Sequence, residues 1–89
     1  MSDRKRERLA LTADIGARLA VLSDPAVVKW FDLTERNLAA SVVDATNDDD
    51  RRETAAYARA FRDLRHFLYG AIDAGERARR DMDEVKRHG

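Results

Sequence analysis

The chain has 89 residues, which suggests one domain, and its 17 basic and 17 acidic side chains leave no net charge at neutral pH. With 44% hydrophobic and 38% charged residues but only 4 Gly and 1 Pro, the composition favours long helices over a β-sandwich. The absence of cysteine excludes disulfides, cysteine metal sites and thiol catalysis. No apolar run approaches the roughly 18 residues of a membrane span, so we expect a cytoplasmic protein with no membrane partner.

The first predicted helix covers residues 3–22, and Ser2 or Asp3 can cap it. Its apolar residues recur every three or four positions and form a stripe on one face: Leu11, Ile15, Leu19 and Leu22. Gly16 lies beside this stripe. Because glycine costs about 1 kcal/mol relative to alanine inside a helix, its presence predicts a close contact with another helix.

The second predicted helix covers residues 25–46. Asp24 is a natural N-cap, and Pro25 fits the first helical position, where its missing N–H would have no partner in any case. One face carries the apolar residues that we expect to pack in the core: Val27, Phe31, Leu38, Val42 and Ala45. Val43 points away from this face and is expected to be exposed.

The short acidic stretch 47–50 ends the second helix and starts the third, and so short a turn predicts an antiparallel hairpin. Asp50 and Glu53 have the spacing of a capping box. The acids resemble a calcium-binding loop only superficially, because Arg51 and Arg52 follow at once and the glycine and final glutamate of such a loop are missing. We therefore predict helix capping here, with no metal site and no cofactor.

The third predicted helix covers residues 50–87 and carries an unbroken 3.5-residue repeat, the pattern of a helix that keeps one seam against a partner. Nine apolar or small positions form this seam: Tyr57, Phe61, Leu64, Leu68, Ala71, Gly75, Ala78, Met82 and Val85. Tyr69 lies off the seam and is the aromatic residue that we expect to face a partner.

The length of this helix exceeds what the chain is expected to cover. It would be about 57 Å long, whereas a compact domain of this size has a diameter of about 31 Å. The first two helices would cover it only to about Ile72, so the seam beyond that point is predicted to lack an apolar partner within the chain. The predicted partner-binding residues are therefore Tyr69, Gly75, Ala78, Met82 and Val85.

Three outcomes stay open for the end of the third helix. It can project and pair with a second copy or another helical protein, it can fray because it is highly charged, or it can break near Gly70 or Gly75. The repeat passes through Gly75 without a slip, so a break is the least expected outcome.

The sequence predicts no catalytic site. His66 lies three positions after Asp63, a spacing that indicates a surface pair rather than a catalytic dyad. The chain offers no serine placed with a base, no glycine-rich phosphate loop and no paired carboxylates facing a pocket. We therefore expect a protein that is not an enzyme, without catalytic or cofactor-binding residues.

Arginines on the outer face of the third helix support an alternative function. A basic helical face can follow the phosphates of a nucleic acid, although the zero net charge and the interleaved acids argue against it. In this alternative the contacting residues are Arg51, Arg52, Arg59, Arg62 and Arg65.

Five aromatic residues lie at helical spacing on the two helices of the predicted hairpin: Trp30, Phe31, Tyr57, Phe61 and Phe67. They can be interpreted as a ligand cage. Aromatic side chains at such spacing on facing helices more often form a core, and we predict that they do so here.

A family resemblance covers roughly residues 25–78. It is carried by Trp30-Phe31, Asp48-Asp49-Asp50-Arg51, Ala56-Tyr57, Arg62-Asp63-Leu64-Arg65 and Ile72-x-x-Gly75. In this order these stretches resemble a group of small, largely uncharacterised helical phage proteins that are encoded near packaging and head genes. The resemblance implies an assembly or accessory role in a virion or packaging complex, located in the host cytoplasm or the virion, and it implies no catalytic residues.

The sequence thus predicts a single all-α domain over residues 1–89, built as an antiparallel helical hairpin with an additional N-terminal helix and a long C-terminal helix. Its expected function is non-enzymatic assembly, in which the third helix self-associates or packs on a partner protein. The alternatives are a small DNA-recognition subunit of a packaging machine and a small inhibitor of a host protein.

Overall fold

The computed structural model describes residues 2–88, and of His88 only the backbone. Within this range the chain forms three α-helices, namely α1 (Asp3–Leu19), α2 (Pro25–Asp44) and α3 (Asp48–His88). A 3₁₀ turn, Ala20–Ser23, follows α1. Residues 2–88 contain no β-strand, so the prediction of an all-α fold with a helical hairpin and a long last helix is confirmed.

The first two helices begin at the predicted caps. The Ser2 hydroxyl accepts a hydrogen bond from the backbone N–H of Lys5 at 3.2 Å, and the Asp24 carboxylate accepts one from Ala26 at 2.9 Å. Pro25 occupies the first position of α2, as expected from its missing N–H. These local interactions determine where each helix starts. How the helices pack depends on the side chains of their faces.

The start of α3 differs from the prediction. The helix begins at Asp48, and its cap is Asn47, whose side-chain oxygen accepts the Asp50 N–H at 2.8 Å. The Asn47 side-chain amide donates in return to the Asp50 carboxylate at 3.0 Å, so a reciprocal pair of hydrogen bonds joins Asn47 and Asp50, in place of the capping box predicted for Asp50 and Glu53. Asparagine is as good a cap as aspartate, and the helix gains two residues by using it.

Helix α3 is continuous over 41 residues, so it has no break at Gly70 or Gly75. The contacts within the chain divide it into two compact units. The terminal unit consists of Met1–Leu22 and Leu68–Gly89, and the hairpin unit consists of Ser23–Phe67. Each unit therefore contains a different part of α3.

A direct backbone contact between α1 and α3 lies at the centre of the terminal unit. A Cβ atom added to Gly16 would lie 2.7 Å from the Cα of Gly75, and one added to Gly75 would lie equally close to the Cα of Gly16. The carbonyl oxygens of Ala71 and Thr12 would be only 3.0 Å from these two added atoms. The close helix contact predicted at Gly16 is confirmed, and Gly75 is its partner.

This contact contradicts the prediction that was based on the length of the third helix. The prediction that the seam beyond Ile72 lacks an apolar partner within the chain is wrong, because α1 packs on that part of α3. Ile72, Gly75 and Ala78 are buried, and Ala78 keeps only 3% of its surface exposed. Met82 is half-buried and Val85 is exposed.

The hairpin unit has a small aromatic core between α2 and α3. Phe31 is buried, and its ring centroid lies 5.6 Å from that of Phe61. The Trp30 ring meets both in edge-to-face geometry, at 5.4 Å from Phe31 and 6.2 Å from Phe61. Ring pairs at these separations attract one another beyond the area that they bury.

We predict that Gly16→Ala or Gly75→Ala destabilises the protein. The added methyl group meets backbone atoms, which cannot move aside as a side chain can, and such overpacking costs about 1–3 kcal/mol. Alanine regains only about 1 kcal/mol of helix propensity, so the midpoint of thermal unfolding, followed by circular dichroism, should fall.

Gly70→Ala is the matched control, because a Cβ atom at Gly70 would meet nothing within 4 Å. It should raise the unfolding midpoint, since alanine favours the helix by about 0.5–1 kcal/mol over glycine. If Gly16→Ala raised the midpoint as Gly70→Ala does, the backbone contact would be refuted.

Candidate functional site

Two of the five arginines proposed to contact nucleic acid are held by groups of the chain itself. Arg51 lies 3.1 Å from the Asp48 carboxylate and donates to the Ala45 carbonyl oxygen at 3.2 Å. Arg65 reaches from α3 to α2, where its two terminal nitrogens lie 2.7 Å from Asp32 and 3.3 Å from Glu35. The acidic middle of the chain thus neutralises part of the arginine face.

The environment of Arg65 makes it a structural residue. Its side chain is only 18% exposed, and its guanidinium carbon lies 5.6 Å from the centre of the Phe31 ring, a cation–π distance. The hydrogen bond to Asp32 raises the pKa of Arg65 above its ordinary value, and the bond to Glu35 acts in the same direction against the opposing effect of desolvation. Arg65 therefore fastens α3 to α2 and is a poor candidate for a ligand contact.

The other three arginines of the proposed nucleic-acid face, Arg52, Arg59 and Arg62, are exposed. Arg59 and Arg62 line an open groove of about 380 Å³ between α2 and α3, together with small side chains and Glu35. A carboxylate in the same groove opposes the binding of a phosphate. This side of the hairpin unit is therefore weakly suited to nucleic acid.

Asp63 and His66 are both exposed on the surface of α3. Across residues 2–88, no three histidine or acidic side chains come together as metal ligands would. The same range holds no helix that is both long and apolar enough to cross a membrane.

The residues predicted to bind a partner at the end of α3 are partly occupied within the terminal unit. Gly75 and Ala78 are covered by their own chain, as described above. Tyr69, expected to face a partner, is half-buried and donates its hydroxyl to the Leu22 carbonyl oxygen at 2.5 Å. That bond satisfies a carbonyl in the turn after α1 and ties the turn to α3.

The prediction that the five aromatic residues form a core is wrong for three of them. Phe31 is buried and Phe61 half-buried. By contrast, Trp30, Tyr57 and Phe67 are 58%, 61% and 72% exposed, and Leu64 beside them is 53% exposed. We call these four side chains, Trp30, Tyr57, Leu64 and Phe67, the aromatic face.

The aromatic face lies on one side of the hairpin unit. The Trp30 ring contacts Phe61, and Phe61 is one helical turn from both Tyr57 and Leu64. At 100° per residue, Phe67 lies about 140° around α3 from Arg62. The aromatic face and the arginine-lined groove therefore lie on opposite sides of the unit.

A second 3.5-residue repeat in α3 produces this face. Tyr57, Ala60, Leu64 and Phe67 follow steps of 3, 4 and 3, and the first and third also belong to the predicted seam. Phe67 is not part of the predicted seam, and its assignment to the core rested only on its aromatic side chain and helical spacing. The apolar residues at positions 60 and 67, beside the predicted seam, are the sequence signal that this side of α3 is also apolar.

Comparison with known proteins gives no match to any protein-family model, curated protein or solved structure. The function is therefore inferred from the side chains that the chain exposes and from those that it occupies itself.

We predict that Tyr69→Phe lowers the stability of the terminal unit. The change removes one hydrogen bond and leaves the ring in place, which costs about 0.5–1.5 kcal/mol for a typical bond. Urea unfolding should show a lower midpoint with an unchanged slope. An unchanged midpoint would mean that water replaces the tyrosine hydroxyl at the Leu22 carbonyl without loss.

Proposed function

We propose that this protein is a non-enzymatic helical assembly protein that binds another protein through the aromatic face of its hairpin unit. The observation that supports the proposal is the exposure of Trp30, Tyr57, Leu64 and Phe67, each more than half exposed, on one side of one unit. Tryptophan and tyrosine are the residue types that most often anchor protein interfaces.

The area of the face is consistent with binding. Taking roughly 200 Å² for a fully exposed side chain of this size, the four residues expose on the order of 500 Å². The largest apolar patch on a typical monomer is about 300–600 Å² and is often functional. Single exposed apolar residues such as Val43 need no such explanation.

The proposal moves the interaction surface from the end of α3 to its first half. Gly75 and Ala78 already have a partner in α1, so they contribute little to an external surface. Nucleic-acid binding is less well supported, because Arg51 and Arg65 bind carboxylates of their own chain. The proposed role of inhibiting a host protein would use the same aromatic face and differs only in the partner.

The family resemblance supports a setting for this role. The resemblance to small helical phage proteins encoded near packaging and head genes implies a role in the assembly of a virion or of a packaging complex. We propose the same setting for this chain, with the aromatic face as its contact.

We predict that Phe67→Asp releases the protein from its complex while Val43→Asp does not. A carboxylate in a covered apolar contact must give up its hydration, so affinity should fall at least about tenfold. Val43 is the matched control, because it is 79% exposed and lies about 140° around α2 from Trp30. The fluorescently tagged variants are compared by gel filtration in the lysate of the producing cells.

The wild-type chain and Val43→Asp should elute above the mass of one tagged chain, and Phe67→Asp should elute near that mass. Circular dichroism should show equal helix content in all three proteins, since both substituted side chains are exposed. Elution of the wild type as a single chain under every condition, or equal behaviour of the two variants, would refute the proposed function.

A further inference from the structure

We infer that the aromatic face binds a second copy of this chain, with the two α3 helices antiparallel across a two-fold axis. The inference rests on the proposed function and names the partner of the same site. In a two-fold contact each copy presents the same patch, so the patch must be complementary to itself. Charge, side-chain size and exposed polar atoms can each be tested against that requirement.

The row of α3 at the centre of the aromatic face carries no charge. Tyr57, Ala60, Leu64 and Phe67 are neutral, although the hairpin part of α3 is otherwise rich in arginine and acidic residues. A charged residue near a two-fold axis would lie close to its own copy and repel it. The neutral row can therefore meet itself without repulsion.

Side-chain sizes along the row alternate in a way that suits an antiparallel pair. A two-fold axis midway between Ala60 and Leu64 places each alanine opposite the leucine of the other copy. The same axis places Tyr57 opposite Phe67 of the second copy. Small residues then meet large ones at the centre, and aromatic rings pair at both ends.

A parallel arrangement would match the sizes less well. Each residue would then face its own copy, with alanine against alanine and leucine against leucine. The alanine pair would leave a gap and the leucine pair would be crowded. Both a cavity and overpacking reduce the stability of the dimer. The row therefore favours the antiparallel pair.

Two hydroxyl groups at the face already have hydrogen-bond partners within the chain. The Tyr57 hydroxyl donates to the Glu53 carboxylate at 3.3 Å, and the Thr34 hydroxyl donates to the Trp30 carbonyl oxygen at 2.8 Å. Covering the face would leave neither hydroxyl without a hydrogen bond, so these two groups avoid the usual penalty for burying a polar group.

The area is sufficient for a specific dimer. Two copies of the face contribute on the order of 1,000 Å², which is about the lower limit for a biological interface. The residues around the face, such as Ala60 and Thr34, add to this area. A dimer of micromolar or weaker affinity is the expected result.

The test uses charge pairing between two variants, each altered on an exposed side chain. Tyr57→Lys and Phe67→Glu each put a charge opposite an uncharged ring in the antiparallel homodimer, so each homodimer should weaken about tenfold or more. When the two are mixed, the antiparallel heterodimer joins the lysine to the glutamate and keeps one native tyrosine–phenylalanine pair. Positions 57 and 67 are too far apart on one helix to pair within a chain.

The control mixture combines Phe67→Glu with Phe67→Lys, whose charges meet only in a parallel dimer. One member of each mixture is labelled with ¹⁵N, and native mass spectrometry counts the heterodimers. We expect the first mixture to exceed the one-half fraction of random pairing and the second not to exceed it. The excess should shrink at high ionic strength, because salt screens the pair.

The wild-type dimer is followed separately through Trp30, the only tryptophan of the chain. Its emission should shift to longer wavelength, and its quenching by acrylamide should increase, as dilution separates the copies. Light scattering at the same concentrations should give a mass that falls from twice 10.1 kDa toward 10.1 kDa.

Three results would overturn the inference. Pairing in the control mixture alone would mean a parallel dimer, and random pairing in both mixtures would mean that another surface holds the copies together. A wild-type protein that stays at 10.1 kDa at millimolar concentration would exclude the second copy. In that last case a complex in the lysate that Phe67→Asp still disrupts would leave the proposed function standing with a different partner.

Discussion

Covering the apolar seam of α3 is the constraint on which this structure depends. A helix of 41 residues with one apolar row is stabilised mainly by what packs on that row. In the hairpin unit, the aromatic ring of Phe61 on α3 packs against that of Phe31 on α2. In the terminal unit, the backbone of α3 at Gly75 contacts the backbone of α1 at Gly16. Because the side chains at a contact set the distance between two helices, one continuous helix supports two different modes of packing.

Within the hairpin unit, α3 packs against a single helix, α2. A helix touches its neighbour along one strip, so the flanks of both helices stay open. On one flank Arg65 binds two carboxylates of α2, and a groove with charges of both signs lies beside it. On the other flank the aromatic face remains in solvent. The contrast between a flank with internal ion pairs and one with exposed apolar side chains supports our proposal of a protein partner rather than nucleic acid.

Local features of the fold could be predicted from the sequence because their causes are local. Asp24 and Pro25 mark the start of α2, the unslipped repeat indicates a continuous α3, and Val43 is exposed as its position on the helix requires. The cap of α3 was misplaced, because Asn47 and Asp50 are both good caps and the sequence does not say which one the chain uses.

The partner of each helix could not be predicted in the same way. Periodicity gives the direction in which a side chain points but not whether a neighbour lies there, so Trp30, Tyr57 and Phe67 were wrongly placed in the core. The order of elements along the chain also does not tell which part of α3 receives α1. Small residues at matching intervals, Thr12 and Gly16 on α1 with Ala71 and Gly75 on α3, were the available signal.

The glycine contact also implies an order of events during folding. It joins positions nearly twice as far apart in the sequence as Phe31 and Phe61, so closing it requires a longer loop and a larger loss of chain entropy. We therefore expect the hairpin to form first and to act as the nucleus, with α1 docking on the remainder of α3 afterwards. Pulse-labelling hydrogen exchange would contradict this order if amides of α1 became protected before those of α2.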